Sequence, residues 1–384
     1  MRKTGVYYLN SFIPDPLPPA APPLILNNEI LALYGEASFH LGQLNKMAKA
    51  LPDPRRFINA YVVKEALLSS EIEGIHTTLI DVLTQSVSGY KANKETQLVL
   101  NYIKSLEIAL GLIKSEGLPI ASRVILAAHK ELMAGERSKT PGQYRQQSVK
   151  VGEFTPPLAS EIVKLMRDLE NYINQDTELP PLIKAGLVHV QFETIHPFLD
   201  GNGRIGRLLI VLMFISSGLL NEPIFYPSYY FKKNSTEYYL TLNRVRTDGD
   251  FEGWVVFYLK AIKDSCIEAC YRAEVIEAQE VIIKATIDNE LRFNKMRDTA
   301  HVVLKSLFQI PVFSINQISS ATEKSYNTIS SIITHFIDLG WVIALDKKKR
   351  NKIYRFDIYL QLLEKDLIPY EELSKFKDKI DKTV

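Results

Sequence analysis

The chain has 384 residues, of which 46% are hydrophobic and 23% are charged, and its formal net charge is +2. This length is enough for two or three domains with apolar cores, and the near-neutral charge argues against a general attraction to nucleic acid or anionic membranes. No apolar run approaches the ~18 residues that a membrane span needs, and no signal peptide follows Met1, so we expect a cytoplasmic protein without a membrane partner.

The first ninety residues are predicted to contain an extended arm and two helices. Residues 14–19 read PDPLPP, and this density of proline favours extended backbone. Helices are expected over 28–51 and 56–73, with the break between them caused by the prolines that separate the two ranges.

The end of the second helix carries the polar motif Ser69-Ser70-Glu71-Ile72-Glu73-Gly74. Ser69 and Glu73 are four residues apart and therefore share a helical face, whereas Gly74 is a natural helix stop. By itself the motif is weak evidence for a site, because a glutamate at the end of a helix is usually a solvated residue.

Two more helices are predicted next. Asn93 is a candidate N-cap for a helix that continues to about residue 114. Ser122 is a candidate N-cap for a helix that continues to about residue 133.

The middle of the chain contains one predicted strand and two further elements. Residues 143–152 predict a short strand, which by itself is typical of an ordinary hairpin. A helix is expected over 156–173, whereas the apolar alternation at 188–192 leaves either a strand or a helix open for residues 182–194.

The most informative stretch follows, and it reads His196-Pro197-Phe198-Leu199-Asp200-Gly201-Asn202-Gly203-Arg204-Ile205-Gly206-Arg207. Its glycines precede a helical apolar run and can expose backbone N–H donors at a helix N-terminus, which attracts anions. Arg204 and Arg207 are three residues apart, so both can reach phosphate oxygens. The stretch is therefore predicted to bind a polyphosphate.

Two side chains of this stretch suggest further chemistry. Asp200 would repel a polyphosphate unless a divalent cation such as Mg²⁺ bridged the two, so Asp200 is a candidate metal ligand. His196 precedes a proline, which disfavours helical backbone at the histidine, and an imidazole is well suited to general-base catalysis near neutral pH. Phe198 is better explained as an apolar anchor of the loop.

The same stretch contains Gly201-x-Gly203-x-x-Gly206, which is the spacing of a dinucleotide-binding loop. The alternation at 188–192 would even supply the strand that such a loop follows. This interpretation is disfavoured, because Asp200 would face a pyrophosphate without compensation and no clear βαβ pattern follows.

The complete stretch resembles the signature of the Fic family, His-x-Phe-x-Asp-Gly-Asn-Gly-Arg-x-x-Arg, without departure. The resemblance implies protein adenylylation, in which a hydroxyl of a target protein attacks the α-phosphate of ATP and pyrophosphate leaves. It implies that His196 is the general base, that Asp200 binds Mg²⁺, and that Arg204 and Arg207 hold the β- and γ-phosphates. The ATP-binding positions implied in this way are Gly201, Asn202, Gly203, Arg204, Ile205, Gly206, Arg207, Tyr238, Tyr239, Val149 and Gly152.

The resemblance also gives the motif at the end of the second helix a meaning. It is similar to the inhibitory motif of the family, Ser/Thr-x-x-x-Glu-Gly/Asn, which begins here at Ser69. Glu73 would then pair with Arg207 and prevent the γ-phosphate from binding productively. In some relatives the same glutamate also supports removal of AMP from a modified target.

Two further segments gain an expected role from the resemblance. Residues 143–152 would be the flap, a β-hairpin whose edge pairs with an extended segment of the target protein. Residues 182–194 would form a helix, and Tyr238 with Tyr239 would contact the nucleotide base. Arg246 stands where some relatives have asparagine, which departs from the pattern of base contacts.

The remaining third of the chain is predicted to contain a connector and a small domain. A helix over 250–262 closes the core, and Cys266 and Cys270 are interpreted as ordinary helix residues. A charged helical connector follows at 279–298.

The C-terminal pattern is typical of a winged helix. Three helices are expected over 299–308, from 314 onward and over 325–339, followed by a hairpin with the basic run 346–352 at its tip. Such a tip can bind DNA phosphates, although winged helices also serve as protein-docking modules and a charged run is often only solvated.

The sequence thus predicts a mainly α-helical protein with a Fic-type core, a small β-hairpin flap and a C-terminal winged helix. The expected activity is transfer of AMP to a Ser, Thr or Tyr hydroxyl of a target protein, with the chain itself and a homodimer as further candidate partners. The alternative is a DNA-binding regulator whose core senses nucleotide. The predicted parts are an arm with the inhibitory helix at 1–90, a catalytic core at 91–275, a connector at 276–298, and a winged-helix domain with a tail at 299–384.

Overall fold

The computed structural model describes residues 3–50, 54–85, 87, 92–345 and 352–364. Contacts between Cα atoms divide the chain into two compact units. The first unit comprises the described residues of Met1–Leu51, Tyr61–His76 and Lys94–Ile267, and the second comprises those of Pro52–Ala60, Thr77–Asn93 and Glu268–Val384.

Helices dominate the described residues, as the sequence predicts. The α-helices are α1 (Asn28–Ala50), α2 (Pro54–Ile72), α3 (Leu79–Thr84), α4 (Lys94–Lys114), α5 (Ser122–Leu132), α6 (Ile162–Asn174), α7 (Pro181–Ile195), α8 (Asn202–Ser216), α9 (Ser228–Lys233), α10 (Ser235–Asp248), α11 (Phe251–Asn289), α12 (Arg297–Gln309), α13 (Ile315–Thr322), α14 (Tyr326–Asp338) and α15 (Asp357–Glu364). The strands are β1 (Gly5–Tyr8), β2 (Ser11–Pro14), β3 (Val312–Ser314), β4 (Val342–Ala344) and β5 (Ile353–Phe356). None of the described helices combines the length and the apolar character that crossing a membrane demands.

Two neighbouring buried helices, α7 and α8, form the centre of the first unit. Apart from Pro181 and Lys184 all of α7 is buried, and α8 is buried from residue 204 to residue 215. Helices that are apolar on every side are stable only inside a protein, which explains why these two lie at the core. The prediction of a helix over 182–194 is confirmed, because the apparent alternation reflects burial on all sides and not the pleat of a strand.

The helix α11 closes this core, as predicted for residues 250–262. Trp254 donates its indole N–H to the main-chain oxygen of Gly186 at 2.8 Å, and a Cβ atom on Gly186 would overlap the ring of Tyr258. Glycine at this position therefore lets α7 approach α11 closely. Both cysteines lie in α11 and form no disulfide, as expected, and the domain limit predicted after residue 275 falls inside this helix.

The predicted extended arm contains a β-hairpin. Strands β1 and β2 pair in antiparallel fashion, with Gly5 opposite Pro14. The main-chain N–H of Phe12 also donates to the oxygen of Thr155 at 3.0 Å, and the rings of Phe12 and Phe154 lie edge to face at 6.1 Å. The arm is thus held to the surface of the first unit beside residues 154–155.

The prediction of a strand over 143–152 is wrong. Within this fully described segment only Val151 takes part in a β-bridge, which it makes with Phe154 across the turn at Gly152, where φ is +57°. The main-chain N–H of Arg145 donates instead to the oxygen of Pro197, at 2.9 Å. The backbone of the segment therefore forms hydrogen bonds outside any β-ladder, which is why the predicted strand does not form.

Two predicted helix starts also need correction. Ala121, and not Ser122, is the N-cap of α5, and it makes no side-chain capping bond. The hydroxyl of Ser122 instead bonds the phenol of Tyr144 at 2.6 Å and donates to Glu170. The helix expected from residue 156 begins with a 3₁₀ turn at Ala159–Glu161 and becomes α-helical at α6.

The second unit contains the predicted three C-terminal helices, α12 to α14, and an antiparallel sheet in the order β3-β5-β4. Ser314 and Ser325 cap α13 and α14 with their side chains, which explains where both helices begin. Strand β3 was not predicted. Residues 346–351 of the basic run lie outside the described residues. The winged helix therefore stays a prediction.

Candidate active site

The signature loop (residues 196–202) connects the two central helices. His196 is the C-cap of α7 with φ +50°, and Gly201 is the N-cap of α8 with φ +80°. The left-handed backbone is easy for glycine and uncommon for histidine. The prediction that His196 lies outside a helix, at the edge of the loop, is confirmed.

The side chain of Asn202 closes this loop. Its Oδ1 accepts from the main-chain N–H of Phe198 at 2.8 Å, and its Nδ2 donates to the main-chain oxygen of Phe198 at 2.9 Å. The amide is buried, so both its donor and its acceptor are used inside the protein. Asn202 therefore shapes the loop, and its main chain at the start of α8 remains the part that can face an anion.

The N-terminus of α8 presents a buried guanidinium with unused donors. Arg204 is 3% exposed, and its Nε and Nη1 have no hydrogen-bond partner among the described residues. Its Nη2 lies 3.5 Å from Oδ1 of Asp200 and 3.6 Å from the sulfur of Met133. Buried donors are rarely left unpaired, so an anion at this helix N-terminus would complete the site.

The structure brings Glu73 and Arg207 together, as the resemblance implies. Nη2 of Arg207 donates to Oε1 of Glu73 at 2.6 Å and to the main-chain oxygen of Ser69 at 2.8 Å, while Nε donates to Oγ of Ser69 at 2.9 Å. Burial opposes the charge of Arg207, but Glu73, Tyr238 and Glu193 together outweigh it, so the pKa of Arg207 lies above its usual value. A Cβ atom on Gly203 would overlap the carboxylate of Glu73, which therefore lies directly over the first turn of α8.

The end of α2 is anchored so that Glu73 reaches this position. Gly74, at φ +76°, ends the helix as predicted. Two turns earlier, Glu65 accepts hydrogen bonds from the phenol of Tyr102 at 3.1 Å and from Oγ and N of Ser228 at 2.5 and 3.2 Å. Burial raises the pKa of Glu65 to about 7 in spite of these bonds. Glu65 lies eight residues before Glu73, so it anchors the helix α2 that Glu73 directly follows.

The imidazole of His196 is held in the neutral state. Burial, together with the positive charges of Arg246 and Arg145, lowers its pKa to about 4. One ring nitrogen donates to the main-chain oxygen of Glu193, which fixes the tautomer and leaves the lone pair on the other nitrogen. A neutral, oriented imidazole of this kind can accept a proton at physiological pH.

Asp200 lies at the mouth of the anion site. Its Oδ1 accepts from the main-chain N–H of Gly201 at 2.6 Å, and its Oδ2 lies 3.3 Å from Nζ of Lys139. The side chain is 41% exposed, and no cluster of three metal-ligating side chains occurs among the described residues. A single carboxylate beside phosphates still suits Mg²⁺, which keeps several waters and takes phosphate oxygens as ligands.

The two tyrosines expected at the base have different environments. Tyr238 is buried, and its hydroxyl lies 2.8 Å from Nε2 of His189. Tyr239 is 51% exposed, with its ring 5.2 Å from that of Tyr238. Arg246 lies nearby, with its guanidinium over the ring of Phe154 at 4.1 Å.

The remaining residues expected to bind the nucleotide also lie in different environments. Ile205 is buried in the core, and a Cβ atom on Gly206 would overlap the carboxylate of Glu193. Both residues thus serve the packing of α8. Val149 is partly buried and Gly152 is exposed, on the segment expected to be the flap.

Sequence reasoning missed two buried residues beneath the signature loop, His129 and Arg145. The ring of His129 stacks on Phe198 at 3.7 Å, its Nε2 bonds the main-chain oxygen of Asp200 at 3.0 Å, and its Nδ1 accepts from N–H of Gly142 at 3.0 Å. Burial lowers the pKa of His129 to about 4, so the ring is neutral and can make both bonds. A histidine on the apolar face of α5 is the local signal for such a role, whereas Arg145 has none, because its partners are distant carbonyl groups.

Comparisons with known proteins agree with this geometry. Residues 119–214 match the Fic/DOC family, and residues 31–111 match the Fic/DOC family N-terminal region. Among curated proteins, the protein adenylyltransferase fic-1 of Caenorhabditis elegans is 28% identical over 200 residues, which are 48% of this chain and 38% of that protein. The protein adenylyltransferase Fic of Drosophila grimshawi is 28% identical over 195 residues, 47% of this chain and 39% of that protein. The matches thus span about two-fifths of the length of these relatives.

Two solved structures share the fold. A Fic family protein from Desulfovibrio desulfuricans superposes with a TM-score of 0.57 at 22% identity and covers 90% of this chain and 99% of its own. Residues 134–508 of Fic-1 from C. elegans give a TM-score of 0.51 at 19% identity and cover 64% of this chain and 74% of that one. The N-terminal region and the segment that carries the signature loop are thus both similar to the Fic/DOC family.

Proposed function

We propose that the chain is an adenylyltransferase that moves AMP from ATP to a Ser, Thr or Tyr hydroxyl of a protein and releases pyrophosphate. The observation that carries this proposal is the neutral His196 beside a helix N-terminus at which Arg204 has two unused donors. The names of the relatives, protein adenylyltransferases, support the same reaction.

The residues of the site suit each part of the reaction. The free nitrogen of His196 takes the proton of the target hydroxyl as the hydroxyl oxygen forms a bond to the α-phosphorus. The bond from that phosphorus to the oxygen bridging to the β-phosphate breaks, and the electron pair leaves with pyrophosphate. Arg204 and the N–H groups of α8 stabilise the charge that develops there.

Asp200 is the residue that would hold Mg²⁺ in this reaction. When bound, the cation would neutralise phosphate charge. The position of Asp200 next to Gly201 and its partial exposure support this role.

Glu73 is proposed to inhibit the reaction in cis. Its carboxylate already pairs with Arg207, the group that would otherwise bind the γ-phosphate, and it covers the first turn of α8 beside Gly203. The same carboxylate could orient a water for the reverse reaction, removal of AMP from a modified protein. The target protein is the main partner proposed, with the chain itself as a further acceptor and a homodimer as a further candidate assembly, whereas DNA is not favoured.

Intact-mass spectrometry tests the proposal. The Glu73→Gly variant is incubated with Mg²⁺, a cell lysate and ATP, GTP or UTP in separate reactions. We expect one added AMP moiety on the chain or on a lysate protein with ATP, and none when His196→Ala is added. Modification by UTP or GTP in place of ATP would replace the proposed donor, and no modification by any nucleotide would refute the activity.

A further inference from the structure

The side chain of Arg145 connects two parts of the candidate site through main-chain carbonyl groups. Its Nε donates to the oxygen of His196 at 2.8 Å, its Nη1 to that of Gln147 at 2.8 Å, and its Nη2 to that of Pro157 at 2.7 Å. Its own main-chain N–H donates to the oxygen of Pro197 at 2.9 Å. One side chain, 1% exposed, therefore holds both the signature loop and the neighbouring loop.

The loop that Arg145 closes is the 147–157 loop. Gln147 and Pro157, whose carbonyl groups it binds, are the two ends of this loop, and residues 150–153 between them are exposed. The loop includes the last part of the segment expected to be the flap. The exposed part is thus free to meet another protein, while its two ends are fixed relative to His196.

Burying the guanidinium of Arg145 in this way costs folding free energy, which is explained if its geometry is needed. No carboxylate lies within ion-pair distance of Arg145 in the described part of the chain, and burial lowers the pKa of its guanidinium to about 10. A buried charge without a counter-ion destabilises a fold, whereas a planar guanidinium can bind three carbonyl groups in fixed directions. Lysine, with one nitrogen on a flexible stem, cannot hold the same three groups.

We propose that Arg145 is a positioning residue, which sets the distance between the 147–157 loop and His196 and thereby aligns the hydroxyl of the target protein for transfer. The inference rests on the proposed AMP transfer and adds a determinant for the protein acceptor. Reacting groups must meet within a narrow range, and a misplacement of about 1 Å can cost roughly 100-fold in rate. The bridge between Val151 and Phe154 and the bond from Phe12 to Thr155 also hold the loop, but neither contact involves His196, whereas Arg145 binds the His196 carbonyl directly.

A change at Arg145 should affect transfer to the protein acceptor differently from the binding and hydrolysis of ATP. The structure shows no hydrogen bond from its side chain to Arg204, Arg207 or Asp200, all of which are described residues. ATP binding should therefore survive. Hydrolysis of ATP to AMP by water should survive too, because water does not need the 147–157 loop and the main-chain N–H of residue 145 still binds the oxygen of Pro197 in the signature loop. Transfer to protein should be lost selectively.

The test compares transfer with hydrolysis in the Glu73→Gly background. Arg145→Lys is the variant, and Arg167→Lys, on the exposed face of α6, is the matched control. Radiolabel from α-labelled ATP is followed into total lysate protein and into free AMP, and ATP affinity is measured by calorimetry. We expect Arg145→Lys to lower transfer about 100-fold, with hydrolysis and ATP affinity changed less than about twofold.

Three outcomes overturn the inference. They are unchanged transfer, a loss of hydrolysis equal to the loss of transfer, and a loss of ATP affinity. If Arg145→Lys does not fold, Pro157→Gly loosens one end of the same loop and should give the same selective loss, and an unchanged ratio of transfer to hydrolysis would decide against Arg145. Absence of transfer in the Glu73→Gly parent would instead refute the proposed function.

Discussion

Replacing Glu73 by glycine should raise the rate of the proposed AMP transfer, and the contact between Glu73 and Arg207 gives the size of the effect. The bond from Arg207 to Glu73 is 2.6 Å long and charge-assisted, with the guanidinium 1% exposed and the carboxylate 33% exposed. Such bonds contribute about 1.5–3 kcal/mol. A competing γ-phosphate must displace this carboxylate, so its removal should raise AMP transfer at limiting ATP by about 10- to 150-fold.

The assay measures initial rates of AMP incorporation over a range of ATP concentrations for the wild type and Glu73→Gly. Glu71→Gly is the matched control, since Glu71 lies two residues earlier, at the end of α2, and pairs with Lys232 instead. We expect a lower apparent KM for ATP in Glu73→Gly and little change in the control. Equal rates for the two variants would refute the idea that the pair with Arg207 restrains the proposed transfer.

Three further predictions concern pH and stability. In the Glu73→Gly background, AMP transfer should depend on neutral His196, so the rate should fall as pH falls toward about 4. Arg246→Met removes a nearby positive charge, so it should move this loss of rate to higher pH, which pH–rate profiles measure. Asn202→Ala should lower the free energy of unfolding by about 1–3 kcal/mol in urea titrations, because two buried main-chain groups of Phe198 lose their partner. The pKa of Glu65 is raised to about 7 in the folded state, so its contribution to stability is full below pH 4.5 and is lost as pH rises through about 7. The urea midpoint of the wild type should therefore fall between pH 5 and pH 8, and Glu65→Gln should reduce this fall.

The parts of the site that lie next to one another in the chain could be predicted from the sequence. His196, Asp200, Gly201 and Arg204 come together because one loop and one helix turn carry them all. The pairing of Glu73 with Arg207 could not be derived from spacing, because 134 residues separate them, and only the family resemblance suggested it.

Other features could not be predicted from the sequence, because they depend on contacts between residues that are far apart in the chain. Arg145 has no local motif, since it binds carbonyl groups that become neighbours only in the folded chain. The strand expected over 143–152 failed for the same reason, because bonds to the signature loop and to Arg145 replace a ladder. The bonds from the side chain of Asn202 to Phe198 could not be foreseen either, while the prediction that its main chain contributes to the phosphate site stays a prediction. Composition cannot distinguish these uses of a polar group.

The most direct test of the account follows the two ends of ATP separately. Glu73→Gly and Glu73→Gly/His196→Ala are incubated in parallel with ATP labelled at the α-phosphate or at the γ-phosphate. The account predicts α-label on protein, γ-label in free pyrophosphate, and neither product when His196 is replaced. Label on protein from the γ-phosphate, or α-label that persists without His196, would contradict it.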